Sequence, residues 1–548
     1  MRTRSFRQNN SWIHTWAGLL LGWLLYAVFL TGTISFFHEE LTLWMTPERH
    51  ASQVNPQTPL KAVERLHELA PDAAQWNISL PGERGTSLEI QWLKQGERPG
   101  RGAGTSMTLD ATTGETITPR ETRGGAFLYR FHFELTGMPR MWGRWIVGIA
   151  TMFMLVALIS GVVIHKKIFK DFFTFRPAKE QRSWLDFHCA SSVLALPFHL
   201  MITYSGLVLL MFVLMPWGAQ SVYEGNMQQY FSEIRGGGGG GQNTASREGG
   251  GREGGGRSEP TPAALTDLQP ILEQAGQRWE RGIASINISQ PGTDKAVIEL
   301  RERGAASLID RGASERLRFN GATGELLATP PAQEISGAMA TYNVLNSLHM
   351  LRFAGSEVRW LFFFSGLLGT LMIATGLIFW SAKRLTRDPR HFGHKLVECL
   401  NVASIVGLPI AIAVYLWANR LLPVGMEGRS EQEIEYFLIA WAVCLVHPFL
   451  RGYRQAWIEQ LTVAAVLFAA LPLFSFSLPD SHLLITLWKG NWIVASTDLC
   501  LLAFAAVFGV ASWKLIQRRQ AVQEKLKVAP RVFKAAAPSS EVVQESTP

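Results

Sequence analysis

Long apolar runs alternate with polar stretches along this chain, and their lengths predict helices that cross a membrane. The clearest run extends from Arg182 to Trp217, and no Asp, Glu, Lys or Arg occurs between Phe187 and Tyr223. That length exceeds the roughly 20 residues that a helix needs to span a bilayer. Comparable runs predict about eight spans, at residues 10–40, 141–168, 184–217 and 357–383, with four additional helices within residues 398–515.

Two polar stretches interrupt these spans, at residues 56–125 and 261–335. Each combines an apparent helix with the alternating apolar pattern of strands, so each predicts a small α+β domain. A glycine-rich segment at residues 235–260 predicts a flexible linker, and residues 529–548 have the composition of a disordered tail. The predicted fold class is therefore a polytopic α-helical membrane protein that carries two α+β domains.

The distribution of charge predicts how these segments are oriented. Basic residues cluster in two loops beside apolar runs, at residues 166–182 and 383–395, and short basic loops stay on the cytoplasmic side. Both termini are therefore predicted to be cytoplasmic, with both α+β domains on the opposite face. The net charge of +8 is explained by this bias and does not indicate a nucleic-acid partner.

The positions of the cysteines argue against a disulfide framework and against a metal site built from cysteines. All four cysteines lie in or beside apolar runs: Cys189, Cys399, Cys444 and Cys500. Disulfide frameworks and cysteine zinc sites belong to small polar domains, and neither polar stretch contains a cysteine.

An internal repeat is the most informative feature of the sequence. WNISLPG at residues 76–82 recurs as INISQPG at 286–292, and LDATTGE at 109–115 recurs as FNGATGE at 319–325, with the same offset. The membrane segments repeat as well: LTGTI at 30–34 matches YSGLV at 204–208, and LISGVVIH matches IATGLIFW. A unit of helix, polar domain and helix is therefore duplicated.

Histidines occupy matching positions in the two copies of this unit. His14 matches His188 near the cytoplasmic ends of two spans, and His132 matches His349 just before two others. A neutral imidazole inside a helix bundle is a typical axial ligand of b-type haem. The duplication therefore predicts two ligand pairs at two depths, although each histidine alone also fits an interfacial or packing role.

Two further histidines lie within or beside the spans without a matching histidine. His199 follows His188 by eleven residues, so a straight helix would place it roughly 16 Å deeper, near the midplane. His165 ends the second span, where it also fits a cationic flank beside Lys166. Either could replace a member of the predicted pairs. Asp498, an acid inside the last span, is a further functional candidate.

Several co-ordered motifs carry a resemblance to a known family. SWIHTWAGLLLGW, GRWIVGIATMFMLVALISGVVIHKK, LDFHCASSVLALPFHLMITYSGLV and HMLRFAGSEVRWLFFFSGLLGTLMIATGLIFW resemble the PepSY-associated transmembrane helix family over roughly residues 10–385. The resemblance implies PepSY-type periplasmic domains and similarity to bacterial inner-membrane ferric-siderophore reductases that carry b-type haem. The four additional spans and the glycine linker depart from that pattern.

The resemblance and the histidines together lead to one expected function. The chain is expected to be a transmembrane oxidoreductase with two haem b groups, which takes electrons from a cytoplasmic or quinone donor and reduces a ferric siderophore or other ferric chelate in the periplasm. Two alternatives remain open at this stage. One is a non-enzymatic PepSY protein that binds peptides or regulates a protease, and the other is a metal transporter.

Overall fold

The computed structural model describes residues 5–97, 103–165, 181–226, 229, 260–304, 308–309, 315–328, 335–351, 353–478 and 481–528. The predicted tail, the predicted linker up to residue 259 and residues 166–180 of the basic loop lie outside these ranges. In chain order the helices are α1 (Phe6–Ser35), α2 (His38–Trp44), α3 (Thr58–Leu69), α4 (Gly125–Glu134), α5 (Arg140–Ile164), α6 (Gln181–Leu194), α7 (Leu196–Leu209), α8 (Met211–Leu214), α9 (Trp217–Val222), α10 (Gln269–Arg278), α11 (Gly337–Met350), α12 (Ser356–Leu385), α13 (Phe392–Ile405), α14 (Gly407–Leu421), α15 (Arg429–Arg451), α16 (Tyr453–Phe474), α17 (Leu483–Trp488) and α18 (Trp492–Val528).

The described helices include seven segments that are long and apolar enough to cross a membrane. They are α1, α5, α12, the combined α13 and α14, α15, the segment built on α16, and α18. The predicted count of eight is reached if the bent pair α6 and α7 forms one span. Helices α1, α5, α6, α7 and α12 pack together as the core bundle, and α13 packs against α1 and α12.

The pair α6 and α7 differs from the straight helix expected for residues 184–217. The two helices meet at Ala195 and are bent by 70°. Pro197 lies in the first turn of α7, where it removes a backbone donor and prevents α6 from continuing. The estimate of 16 Å between His188 and His199, which assumed a straight helix, therefore does not apply.

The two repeated polar stretches form one antiparallel sheet instead of two separate sheets. Its strand order is β4-β3-β2-β1-β5-β6-β7-β8, so the first strand of each repeat meets the other at the centre. Asn77 pairs with its own repeat mate, Asn287, which places a two-fold relation between the repeats at that point. The strands are β1 (Gln75–Ser79), β2 (Leu88–Leu93), β3 (Thr105–Leu109), β4 (Thr116–Ile117), β5 (Ile283–Ser289), β6 (Val297–Glu302), β7 (Arg316–Asn320) and β8 (Leu326–Leu327).

One face of this sheet is buried beneath helices α3 and α10. Ile78 and Ile286, which pair across the centre, are fully buried with Phe319 in a core that also contains Leu66 and Ile271 from the two helices. The alternating pattern that predicted strands thus corresponds to one apolar face. The end of the bundle that carries the sheet is called the sheet side below, and the opposite end is called the far side.

Polar contacts attach α13–α18 to the first repeat. In the bundle, the Trp23 indole donates to the Asn401 side chain at 2.9 Å. On the sheet side, the Arg120 guanidinium donates to the Asn419 carbonyl at 2.8 Å, and Thr122 donates to the Glu433 carboxylate at 2.5 Å. The additional helices are therefore an integral part of the membrane region.

Candidate functional site: two histidine pairs

The far-side pair consists of His14 from α1 and His188 from α6. Their ring centroids lie 6.2 Å apart, and both rings line a cavity of about 380 Å³. The cavity lies between α1, α5, α6, α7 and α12, and its walls are mostly apolar. The structure thus brings together the two histidines that the repeat aligned.

The sheet-side pair consists of His132 from α4 and His349 from α11. These rings are also 6.2 Å apart, and they line a second cavity, of about 370 Å³. Leu25 and Met154 line both cavities, so the two sites are neighbours along the bundle. The predicted arrangement of two pairs at two depths is present in the structure, whereas the role of these residues as ligands stays a prediction.

Each of the four rings is held through its Nδ1 atom. In the far-side pair, Nδ1 of His14 lies 2.9 Å from the Ala157 carbonyl oxygen, and Nδ1 of His188 lies 2.8 Å from the Met372 carbonyl oxygen. A carbonyl can only accept a hydrogen bond, so Nδ1 carries the proton. The neutral ring then keeps its lone pair on Nε2, which is the atom available for a metal.

The sheet-side pair follows the same arrangement. Nδ1 of His132 lies 2.7 Å from the Val28 carbonyl oxygen. Nδ1 of His349 lies 2.9 Å from the Ser205 hydroxyl oxygen, and that hydroxyl already donates to the Met201 carbonyl. Ser205 is therefore placed to accept from His349, so Nε2 is again the atom with the free lone pair.

A glycine on a neighbouring helix makes room for each ring. A Cβ atom added to any of four glycines would approach an imidazole atom within 2.6–3.2 Å. The pairs are Gly32 with His132, Gly376 with His188, Gly161 with His14, and Gly206 with His349. In three cases the accepting carbonyl belongs to the residue four positions before the glycine, and a helical carbonyl points toward that next turn. The missing side chain therefore exposes the carbonyl to the histidine.

These features fit a b-type haem held by two histidines at each site. Two imidazoles bound to one metal through bonds of about 2 Å would have centroids roughly 6 Å apart, as both pairs have. A hydrogen bond from the second ring nitrogen to a backbone carbonyl is the usual support of a ligating histidine. Both cavities are also within the range of about 300–1,000 Å³ typical of small-molecule and cofactor sites.

His199 lines neither of the two cavities and is not paired with another described histidine. It is fully buried, and its ring contacts Phe29 and Phe198. Neither ring nitrogen forms a hydrogen bond with acceptable geometry, although the backbones of Ser192 and Ser365 face the ring. The structure thus provides no second imidazole opposite His199, and its exchange with a paired histidine stays a prediction.

Two other predicted candidates occupy different places. His165 lines the far-side cavity at its open end, at the position that the repeat matches with Trp380. Asp498 is fully buried on the sheet side and lines neither cavity. Its carboxylate accepts a hydrogen bond from the Trp44 indole at 2.8 Å.

The residues that support the histidines were not predicted from the sequence. Gly32 and Gly206 occupy the same position of LTGTI and YSGLV, and Gly161 and Gly376 occupy the same position of LISGVVIH and IATGLIFW. A glycine retained in both copies of a repeated helix was the available signal. His38 was also missed: it lines the sheet-side cavity and stacks on Tyr129 at 5.4 Å.

Comparisons with known proteins add one result to this geometry. No curated protein matches the chain. A model of the family described as PepSY-associated TM region matches residues 11–383, a range that contains both histidine pairs and the complete sheet. Because this match covers more than half of the 548 residues, the chain belongs to the PepSY-associated TM region family.

Proposed function

We propose that this protein is a haem-bearing transmembrane oxidoreductase that carries electrons to a ferric chelate on the sheet side. The observation that carries the proposal is the presence of two histidine pairs at two depths of one bundle. In each pair the ring centroids lie 6.2 Å apart and every Nδ1 atom is engaged. A peptide-binding module has no requirement for such a duplicated arrangement.

In this proposal the four imidazoles hold the iron of two b-type haems through Nε2. Bound haem iron would supply a one-electron carrier at each site. The chain itself fixes the protonation and orientation of each ring through the Nδ1 contacts, and the glycines keep the rings close to the neighbouring helices. The mostly apolar walls would surround a bound haem with side chains that do not compete for its iron.

Two haem sites, one on each side of the midplane, would allow electrons to cross the membrane in steps. A hydrocarbon core of about 30 Å is too wide for one electron transfer at a useful rate, so a carrier is needed on each side of the midplane. The far-side and sheet-side cavities share Leu25 and Met154 in their walls. This contact between the cavities supports electron transfer from one site to the other.

The direction of transfer follows from the predicted topology. The basic loops support a far side in the cytoplasm, together with both termini, and a sheet in the periplasm of a bacterial inner membrane. The donor is then a cytoplasmic reductant or a membrane quinol. The acceptor is a ferric siderophore or similar chelate that docks at the sheet side, and reduction to Fe(II) weakens its binding by hard oxygen ligands.

The first test is spectroscopic and concerns the ligands. Purified protein is expected to show a Soret band with two haems per chain, and each of the H14A, H188A, H132A and H349A variants is expected to lose about one. His391, which is exposed and outside both cavities, provides the matched control H391A, which should keep both. Full haem content in all four pair variants would contradict the assignment.

The second test concerns the reaction. Protein reduced with dithionite is expected to be reoxidised by ferric siderophores, with Fe(II) captured by ferrozine. Haem that stays reduced in the presence of a range of ferric chelates would show that another acceptor is the substrate. Protein without a Soret band would instead leave peptide binding, protease regulation or metal transport as the functions to examine.

A further inference from the structure

The far-side cavity carries a group of nitrogen donors at its open end. Trp380, Lys383 and Arg384 all line this cavity, and they belong to the last two turns of α12. Residues separated by three and four positions lie on one face of a helix. Three donors of this helix therefore share one face at the mouth of the cavity.

Within the described residues these donors have little to bind: Arg384 donates to the Trp380 backbone carbonyl at 3.3 Å, and no side-chain acceptor faces the group. The Trp380 indole Nε1 atom is buried and has no hydrogen-bond partner. The Arg384 guanidinium lies 3.9 Å from the centroid of the Trp380 ring, and Lys383 lies near the Phe379 ring at 6.0 Å. Among the described residues, no carboxylate lies within ion-pair distance of Lys383 or Arg384.

The sheet-side cavity provides a contrast. The arginine that lines it, Arg144, is neutralised by Glu134, whose carboxylate lies 2.5 Å from the guanidinium. The cations at the far-side mouth have no such partner in the described part of the chain. A buried donor without a partner and two cations without a carboxylate thus lie in the wall of one cavity, which indicates that an anion from outside the protein completes the site.

We propose that Trp380, Lys383 and Arg384 bind a carboxylate of the flat ligand that His14 and His188 hold. This inference rests on the proposed function, under which the carboxylate is a haem propionate. The indole and the two cations would donate charge-assisted hydrogen bonds to it. His165, at the matching place of the first repeat, lines the same cavity.

A phosphate of an anionic lipid offers the same chemistry and is the alternative source of the anion. Basic residues at cytoplasmic helix ends commonly contact such headgroups. The buried position of the Trp380 donor favours the carboxylate, because a headgroup stays in the interfacial region. The experiment must therefore separate a ligand inside the cavity from a lipid beside it.

The test uses the H349A variant, in which only the far-side haem is expected, and measures the transfer of haem to an excess of apomyoglobin. Adding W380F or R384Q is expected to accelerate haem loss about tenfold, the factor for one charge-assisted hydrogen bond. Arg387, one turn further and not part of the cavity lining, gives the matched control R387Q, which should change the rate little.

Reconstitution with haem dimethyl ester, which lacks the carboxylates, completes the test. The ester is expected to leave the parent and R384Q proteins at the same rate, because the group that Arg384 recognises is absent. Equal rates of haem loss in the parent, W380F and R384Q proteins would overturn the inference. So would an R384Q effect seen only in phosphatidylglycerol nanodiscs and not in neutral detergent, since the anion would then be lipid phosphate. A wild-type protein without haem would instead refute the proposed function.

Discussion

The two halves of the duplicated unit build equivalent parts of the histidine sites on different scaffolds. In the first half α1 is continuous from Phe6 to Ser35, whereas its counterpart is bent by 70° between α6 and α7. Trp23 in α1 bonds to Asn401, and the repeat places Pro197 at the matching position. The histidines on these two helices are nevertheless supported in the same way, because His14 and His188 each contact a carbonyl four residues before the glycine that admits the ring. The local contacts of histidine, carbonyl and glycine therefore define the site, and the straightness of the helix does not.

The two halves also differ in how they contact the additional helices α13–α18. On the sheet side, the described hydrogen bonds to α14, α15, α17, α18 and the loops between them come from residues 42–50 and 120–125 of the first half. On the same side, the second half meets the first through the central strand pair β1 and β5 and through the ion pair of Arg359 with Glu40. Changes at the first-half junction should thus weaken the protein without altering the ligand contacts.

The largest expected effect is a difference in haem content between alanine variants of two matched glycines, Gly32 and Gly206. A Cβ at Gly32 would lie 2.6 Å from the His132 ring, and one at Gly206 would lie 3.2 Å from the His349 ring. G32A should therefore displace His132 and remove the sheet-side haem, whereas G206A should retain much of it. Haem per chain, measured by pyridine haemochrome, checks this expectation. Gly276, in α10 outside both cavities and with open space around it, supplies the control G276A, and equal haem content in G32A and G276A would contradict the close packing.

The buried ion pair at the first-half junction should have the next largest effect. Arg429 and Glu433 are fully buried and bonded to each other. R429M would leave the carboxylate without its cation, which costs about 3–5 kcal/mol. Thermal unfolding followed by tryptophan fluorescence checks this loss. The exposed pair of Arg123 and Glu431 gives the control R123M, expected to cost less than about 1 kcal/mol, and comparable losses in the two variants would be inconsistent with the burial difference.

A substitution at Trp23 tests its hydrogen bond to Asn401, which has no counterpart at Pro197 in the second half. W23F keeps an aromatic ring at this position but leaves the buried Asn401 oxygen without its donor. The free energy of unfolding is expected to fall by about 1–3 kcal/mol. The exposed Trp12 on the same helix gives the control W12F. The unfolding midpoint should fall in W23F alone, with unchanged haem spectra. A spectral change in W23F would mean that this contact also positions the histidines.

The smallest expected effect depends on pH. His50 is buried in the first-half junction, where it bonds to Ser481 and to the Leu43 carbonyl, and burial lowers its pKa to about 4. Below the ordinary value of 6.5, the unfolded chain therefore binds a proton that the folded chain does not. Stability should fall as the pH drops from about 6.5 toward 4, by about 1 kcal/mol between pH 7.5 and 5.5.

The measurement is the unfolding midpoint at both pH values, in wild type and H50Q. The variant lacks this titrating group, so it should lose less stability on acidification than the wild type. An identical pH dependence in the two proteins would assign the loss to other groups.

Much of the architecture follows directly from the sequence. Uninterrupted apolar length predicted the spans because a bilayer requires about 20 residues per helix. The duplication predicted which histidines correspond, since related segments adopt related positions. It did not predict that WNISLPG and INISQPG would lie side by side in one sheet, because strand pairing between repeats depends on how the two helices before them are placed.

The sequence by itself determined which spans, histidines and glycines each half contains, because hydrophobic runs and repeated motifs can be recognised from neighbouring residues alone. Only the tertiary structure decided that Nδ1 of each paired histidine is engaged, that Gly32 and its counterparts admit the rings, and that Trp380 and Arg384 share a cavity with His14. These relations join helices up to hundreds of residues apart, such as His14 with His188 and Trp23 with Asn401. They arise from the packing angle and depth of each helix, which no local pattern encodes.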